Sequence, residues 1–382
     1  MKLILSIETV RYPLTGIGRY VYELASRAME HREAFESLQL FGLKGFVNEL
    51  PQAQNTAGSL HHWKGLIQKS HWATEAYRQL SNAMRARALR GYQDHIFHGP
   101  SFTLPRFDGK KIATVHDLSP FIWADSMTSQ RAKYLQTEIA YTVEHADLLI
   151  TDSEFTRHEV ASYFGWDINK IYAVPLAAAP EFRQRPVQEL VKPLARLGLA
   201  PGKYGLYVGT IEPRKNIASL LQAYRLLPDA LRQEYPLVLT GYSGWKSDDL
   251  HQQMQQAEQE GWARYLGYSA LEDLPFLYAG ARVFAFPSLY EGFGLPVLEA
   301  MSSGVPVVCS NRASLPEVVG DAALLNDALD VETLSAHLLQ GLTDEDWRAL
   351  AIQRGSEKSA SYSWQKCAEE TRVVYRRLDQ NG

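Results

Sequence analysis

Arg282-Val-Phe-Ala-Phe-Pro-Ser288 leads through Leu289 and Tyr290 into Glu291-Gly-Phe-Gly-Leu-Pro-Val-Leu-Glu299. The first seven residues are an apolar run of strand length that closes on a proline and a hydroxyl. The glycines that follow let main-chain N–H groups approach a ligand without Cβ obstruction. Pro296 suits the first turn of a helix, so the spacing predicts a helix beginning near Leu295. The N–H groups of Phe293, Gly294 and Leu295 then point at an anion, with the helix dipole behind them. Glu291 falls on the loop before the helix and Glu299 about one turn inside it. Two carboxylates so placed hold two parts of one elongated ligand. An ordinary helix N-terminus accounts for either acid alone, but not for glycines, proline and paired acids together. A buried strand passing through a glycine-rich loop into a helix is the building unit of parallel α/β folds.

The same unit recurs in both directions along the chain. Around it, YGLYVG (204–209), PLVLTG (236–241), ARYLGY (263–268), VPVVCS (305–310) and AALL (322–325) read as strands. Upstream, Lys2–Glu8, HIFHG (95–99), KIATVHD (111–117), ADLLITDS (146–153) and IYAVPLA (171–177) read the same way. Helical periodicity fills Gly18–Ala28, Ser129–His145 and Glu154–Phe164. Between Pro175 and Pro193 the periodicity lapses and four prolines appear, which marks a domain boundary. The expectation is therefore an α/β protein of two Rossmann-like domains facing each other across a cleft. They span 1–178 and 179–361, and a final helix, 362–382, crosses back to the first. A length of 382 residues fits two domains.

Composition narrows the function class. A net charge of −4 argues against a general nucleic-acid binder. Cys309 and Cys367 form no spaced cluster and read as small buried apolar residues of a reducing compartment. The N-terminus has no signal-peptide h-region, and no stretch reaches the ~18 apolar residues of a membrane span. The expected location is cytoplasmic, with peripheral contact at the inner face of the membrane. Residues 61–92 motivate that contact, carrying six Lys/Arg against one Glu with Trp and Leu interleaved. Lys64, Lys69, Arg85, Arg87 and Arg90 there suit an anionic membrane surface or a phosphorylated acceptor. A solvated helical face is the plain alternative.

Three further segments sit where ligands bind, at strand carboxyl ends. In Gly209-Thr-Ile-Glu-Pro-Arg-Lys-Asn216, adjacent Arg214 and Lys215 are poorly placed for a helix dipole and well placed for a diphosphate. In Thr15-Gly-Ile-Gly-Arg-Tyr20, Gly16, Gly18 and Arg19 form a turn that suits phosphate or a sugar, although a plain tight turn explains it equally. It lacks the third glycine of the dinucleotide fingerprint. His116 and Asp117 end a buried strand, where they can meet sugar hydroxyls or move protons.

Taken together, EGFGLPVLEAMSSGVPVV, GTIEPRKN, GIGRY and VHD resemble the retaining GT4 glycosyltransferases of GT-B fold. The likeness is strongest to bacterial mannosyltransferases of O-antigen or exopolysaccharide synthesis. It implies an acceptor-binding first domain and a donor-binding second domain. It implies that Glu291 contacts the transferred hexose, Glu299 the ribose, and Lys215 with Arg214 the diphosphate. His116 would touch the donor sugar, and Gly16 and Gly18 would lie near the phosphates. The base would sit beside Gly267, Tyr268 and Ser269. The co-substrate would be a nucleotide-diphosphate sugar, GDP-mannose first, with GDP-rhamnose or a UDP-hexose open. The acceptor would be a saccharide, foremost a polyprenyl-diphosphate-linked oligosaccharide, and no metal would be required. Thr210 departs from the pattern, where many members carry Arg. An epimerase of the same architecture and a non-catalytic nucleotide-sugar-binding subunit are the rival readings.

Overall fold

The computed structural model describes residues 1–14, 16–43, 45–52 and 83–380. Lys64 and Lys69, and most of the basic segment with them, lie outside the described residues. Among those described, the first sheet comprises β1 (Lys2–Ser6), β2 (Ser37–Gly42), β3 (Gly45–Val47), β4 (Ile96–Gly99), β5 (Lys110–Val115), β6 (Leu148–Thr151) and β7 (Ile171–Ala173). Their order is β3-β2-β1-β4-β5-β6-β7. All neighbours are parallel except β2 and β3, which pair antiparallel at the edge. The second sheet holds β8 (Gly205–Val208), β9 (Leu237–Thr240), β10 (Ala263–Tyr265), β11 (Val283–Phe286), β12 (Val307–Ser310) and β13 (Ala323–Asn326). It runs β10-β9-β8-β11-β12-β13, parallel throughout.

The strands form where they do because helices cover both faces of each sheet, so buried strands read as unbroken apolar runs. All four residues of β11 are fully buried. Each large side chain there contributes about 1.5–3 kcal/mol relative to exposure. Strand order reverses between β1 and β4 in the first sheet and between β8 and β11 in the second. Ligands of open α/β sheets bind beyond the carboxyl ends at such a reversal. Arg214 and Lys215 follow β8, and Glu291 follows β11.

The proline-rich boundary is more ordered than its periodicity implies. Val187–Arg196 is helical despite an internal Pro193. Leu190 and Leu194, one turn apart, are its buried anchors, while Val187 and Val191 are exposed. Beyond the second sheet, helix Trp364–Gln380 lies against the first domain. Tyr375 Oη lies 2.7 Å from His98 Nδ1 on β4, and Lys110 Nζ donates to the Leu378 carbonyl at 2.7 Å. Burial pushes the pKa of His98 down to about 3, so this contact is made by a neutral ring. No helix among the described residues is long and apolar enough to cross a membrane.

Candidate active site

Lys215 and Glu291 approach from either side of the strand-order reversal in the second sheet. Lys215 Nζ donates to Glu291 Oε1 at 2.6 Å, and Arg214 Nη1 lies 3.7 Å from Glu291 Oε2. Asn216 places the cations: it adopts a left-handed backbone (φ 56°), and its side-chain amide donates to the carbonyls of Pro287 and Ala328. That anchors the turn after β8 to the loop after β11. Arg214 also donates to the Tyr290 carbonyl at 2.6 Å and to Glu212 Oε1 at 2.8 Å. Burial opposes ionisation of Glu291, but Lys215 and Arg214 outweigh it and hold its carboxyl below the ordinary range. Burial also works against the Arg214 cation, and Glu291, Asp117 and Glu212 overcome it. The cluster is a buried carboxylate held between two cations.

Helix Leu295–Ser302 begins where the spacing places it, on Gly294 at φ 102°. Within the described residues, no acceptor meets the N–H groups of Phe293, Gly294 or Leu295. The first domain brings a second helix start to the same place, because Gly16 opens helix Gly16–Glu30 and lies against the Leu295 side chain. Gly18 is buried one turn-fraction further on, within that helix. Two helix N-termini thus converge beside the cation pair, an arrangement suited to a diphosphate. Burial raises the Glu299 carboxyl to about 7, opposed by Tyr278 and Arg19. Arg19 is engaged by Glu181 at 2.9 Å and Glu23 at 3.6 Å, within the interdomain seam.

His116 is held more tightly than its sequence position implies. Its Nε2 donates to the Pro100 carbonyl at 3.1 Å, and its Nδ1 lies 2.7 Å from Asp152 Oδ2. Burial disfavours the imidazolium, yet Asp152 and Pro100 leave the pKa raised. With both nitrogens engaged, proton transfer at this ring requires one of these bonds to break. Asp117 accepts from the Ser119 N–H and hydroxyl, at 2.9 and 2.6 Å.

The loop after β10 carries the remaining expected residues. Gly267 sits at φ 67° with open space around it. Ser269 is buried and bonded to Thr240 Oγ1 at 2.7 Å. Exposed Tyr268 stacks on exposed Tyr242, with ring centroids 4.0 Å apart. A cleft of about 930 Å³ opens between the domains, lined by Glu8, Arg85, His116 and Asp117 on one side and Arg214 and Trp245 on the other. Arg85 therefore belongs to the cleft wall, paired with Glu8 at 2.5 Å, rather than to an outward basic face. Arg87 and Arg90 are exposed.

Residues 199–358 match the family model described as "Glycosyl transferases group 1". The chain is 45% identical over 382 residues to the "O-antigen chain mannosyltransferase B" of Escherichia coli, covering 99% of this chain and 100% of that one. The chain belongs to the group 1 glycosyl transferases. It is an enzyme of that class. A second relative, the "Serotype-specific mannosyltransferase WbdA" of Escherichia coli, is 30% identical across 81% of this chain and 41% of its own length. Among solved structures, the glycosyltransferase WaaG aligns with a TM-score of 0.69 at 14% identity over 97% and 98% of the two chains. Sucrose-phosphate synthase from Thermosynechococcus elongatus aligns with 0.71 at 19% over both full lengths. These establish the two-domain glycosyltransferase fold, GT-B.

Several residues of the candidate site were not among the expected ones. Glu212 braces Arg214, Asp152 braces His116, and Tyr290 carries Arg214 on its carbonyl. Asp152 directly follows β6 as His116 directly follows β5, so the rule of strand carboxyl ends applies to it. Glu212 and Tyr290 adjoin residues already singled out.

Proposed function

We propose that the chain is a retaining mannosyltransferase, using GDP-mannose and a saccharide acceptor, foremost a polyprenyl-diphosphate-linked oligosaccharide. The observation that carries this reading is the Lys215–Glu291 pair with Arg214, set beside two converging helix N-termini. The mannosyltransferase names of the two relatives support the sugar.

In this reading the diphosphate lies against Arg214, Lys215 and the N–H groups after Gly292. Lys215 has three N–H donors, and its bond to Glu291 leaves two for phosphate oxygens. The ionised Glu291 accepts from hexose hydroxyls, Glu299 from the ribose, and the base stacks near Tyr268. The acceptor hydroxyl enters through the large cleft and attacks the anomeric carbon on the face from which the diphosphate leaves. The C–O bond to phosphate breaks as the new glycosidic bond forms, and the hydroxyl proton passes to the leaving phosphate oxygen. Arg214 and Lys215 stabilise the charge that develops there, so no metal ion is needed. Exposed Arg87 and Arg90 meet an anionic membrane surface on the cytoplasmic side.

The test is thermal stabilisation with GDP, UDP, ADP and dTDP sugars without added metal, followed by product analysis with the sugar that stabilises. GDP-mannose should raise the melting temperature, and the glycoside formed should keep the donor's anomeric configuration. No shift with any sugar, or a modified sugar released without an acceptor, would reject the proposal.

A further inference from the structure

The short loop Tyr290–Gly292 carries the sugar-contacting acid of the proposed function, and side chains of the other domain hold it. Tyr290 Oη donates to Glu159 and accepts from the Leu118 N–H at 2.9 Å. The Gly292 carbonyl accepts from Ser153 Oγ at 2.7 Å and from Thr156 Oγ1 at 3.1 Å. A Cβ on Gly292 would lie 1.9 Å from the His116 carbonyl oxygen, so the two backbones are in direct contact. A return contact closes the clamp, since Glu317 accepts from the N–H groups of Glu154 and Phe155 at 3.0 and 3.2 Å. Glu291 lies between the two clamped residues.

We infer that the first domain sets the position of Glu291, through Tyr290 on Glu159 and Leu118 and through Gly292 on Ser153 and Thr156. Tyr290 is the central positioning residue. Its hydroxyl grips the first domain and it directly precedes Glu291, so the domain contact reaches the carboxylate through one peptide link, while Arg214, bonded to the Tyr290 carbonyl, is also held by Glu212 of its own domain. Among the described residues, Lys215 is tied to its own domain by the turn at Asn216, and its side-chain hydrogen bond goes to Glu291 of that same domain. Hexose recognition therefore requires the closed arrangement, whereas part of the diphosphate site belongs to the second domain alone. Separation of the domains releases the sugar-reading acid first.

The inference rests on the assignment of Glu291 to the hexose. It is tested by calorimetric titration of the intact enzyme with the nucleotide sugar that stabilises it and, separately, with the matching nucleoside diphosphate. Tyr290→Phe keeps the ring and removes the hydroxyl. Thr156→Val, on the other domain, is a second variant should the first fail to fold. Each should weaken the nucleotide sugar about 3–10-fold, the scale of one lost hydrogen bond, and leave the nucleoside diphosphate within twofold. A merely structural role would weaken both ligands alike. If the wild type prefers the sugar-bearing ligand and both variants keep that preference, the inference is overturned. If the wild type shows no such preference, the hexose assignment of Glu291 fails, and this inference with it.

Discussion

Lys215 Nζ sits 2.6 Å from Glu291 Oε1 where the order of the second sheet reverses, and the two side chains are only 11% and 10% exposed. Removing Lys215 leaves the buried Glu291 carboxylate with Arg214, 3.7 Å away, as its remaining cation. Lys215→Met should lower folding stability by about 3 kcal/mol, with Arg214 limiting the loss. The double variant Lys215→Met/Glu291→Gln should recover most of it, as urea unfolding would record. Turnover should fall at least ~100-fold in both, because neither restores the cation facing the leaving group.

Glu159 should make stability depend on pH in a defined direction. Burial lifts its carboxyl to about 7 from the ordinary 4.5, with Tyr290 opposing and Asp117 adding to the rise. The folded state therefore binds this proton more tightly than the unfolded chain. The contribution is full below 4.5 and is lost as pH rises through 7. Glu159→Gln mimics the protonated form, so its urea midpoint should pull away from the wild type between pH 4.5 and 7. A gap that stays constant across that range would contradict the assignment.

Gly292 should tolerate no side chain. An alanine Cβ would meet the His116 carbonyl oxygen at 1.9 Å and Asp117 Cβ at 2.9 Å, and the nearer obstacle is backbone. Gly292→Ala should force the domains apart and enlarge the radius of gyration in solution scattering. Displacement of the site by about 1 Å is enough to cost ~100-fold in turnover.

Arg85 and its neighbours should separate by function. Reversing exposed Arg87 and Arg90 to Glu should weaken binding to anionic vesicles by on the order of 10-fold or more. Arg85→Gln should leave vesicle binding unchanged and raise the acceptor KM, because its guanidinium is turned to Glu8 on the cleft wall.

Much of the architecture was readable because parallel strands covered on both faces announce themselves as apolar runs, as Val283–Phe286 and Leu148–Thr151 do. β2 and β3 were not. Ser37–Gly42 alternates polar and apolar residues over only part of its length, and its antiparallel partner is an edge strand of three residues. The helix start at Leu295 was legible from Gly294 and Pro296, which impose local backbone geometry. Gly292 was read as a ligand-facing glycine, but its lack of a side chain is required by the His116 backbone of the other domain. The pairing of Tyr290 with Glu159, or of Glu317 with the N–H groups of Glu154 and Phe155, depends on how two domains meet. No local pattern records such a meeting.

Helix Trp364–Gln380 gives the first domain a history as well as a shape. During synthesis at about 5–20 residues per second, the interval from Ala173 to Trp364 lasts on the order of 10–40 s. Through that interval Tyr20 lacks its neighbour Trp364, and His98 lacks Tyr375. The half that emerges first from the ribosome is thus the half that finishes last, and its uncovered wall is where a chaperone would find the nascent chain.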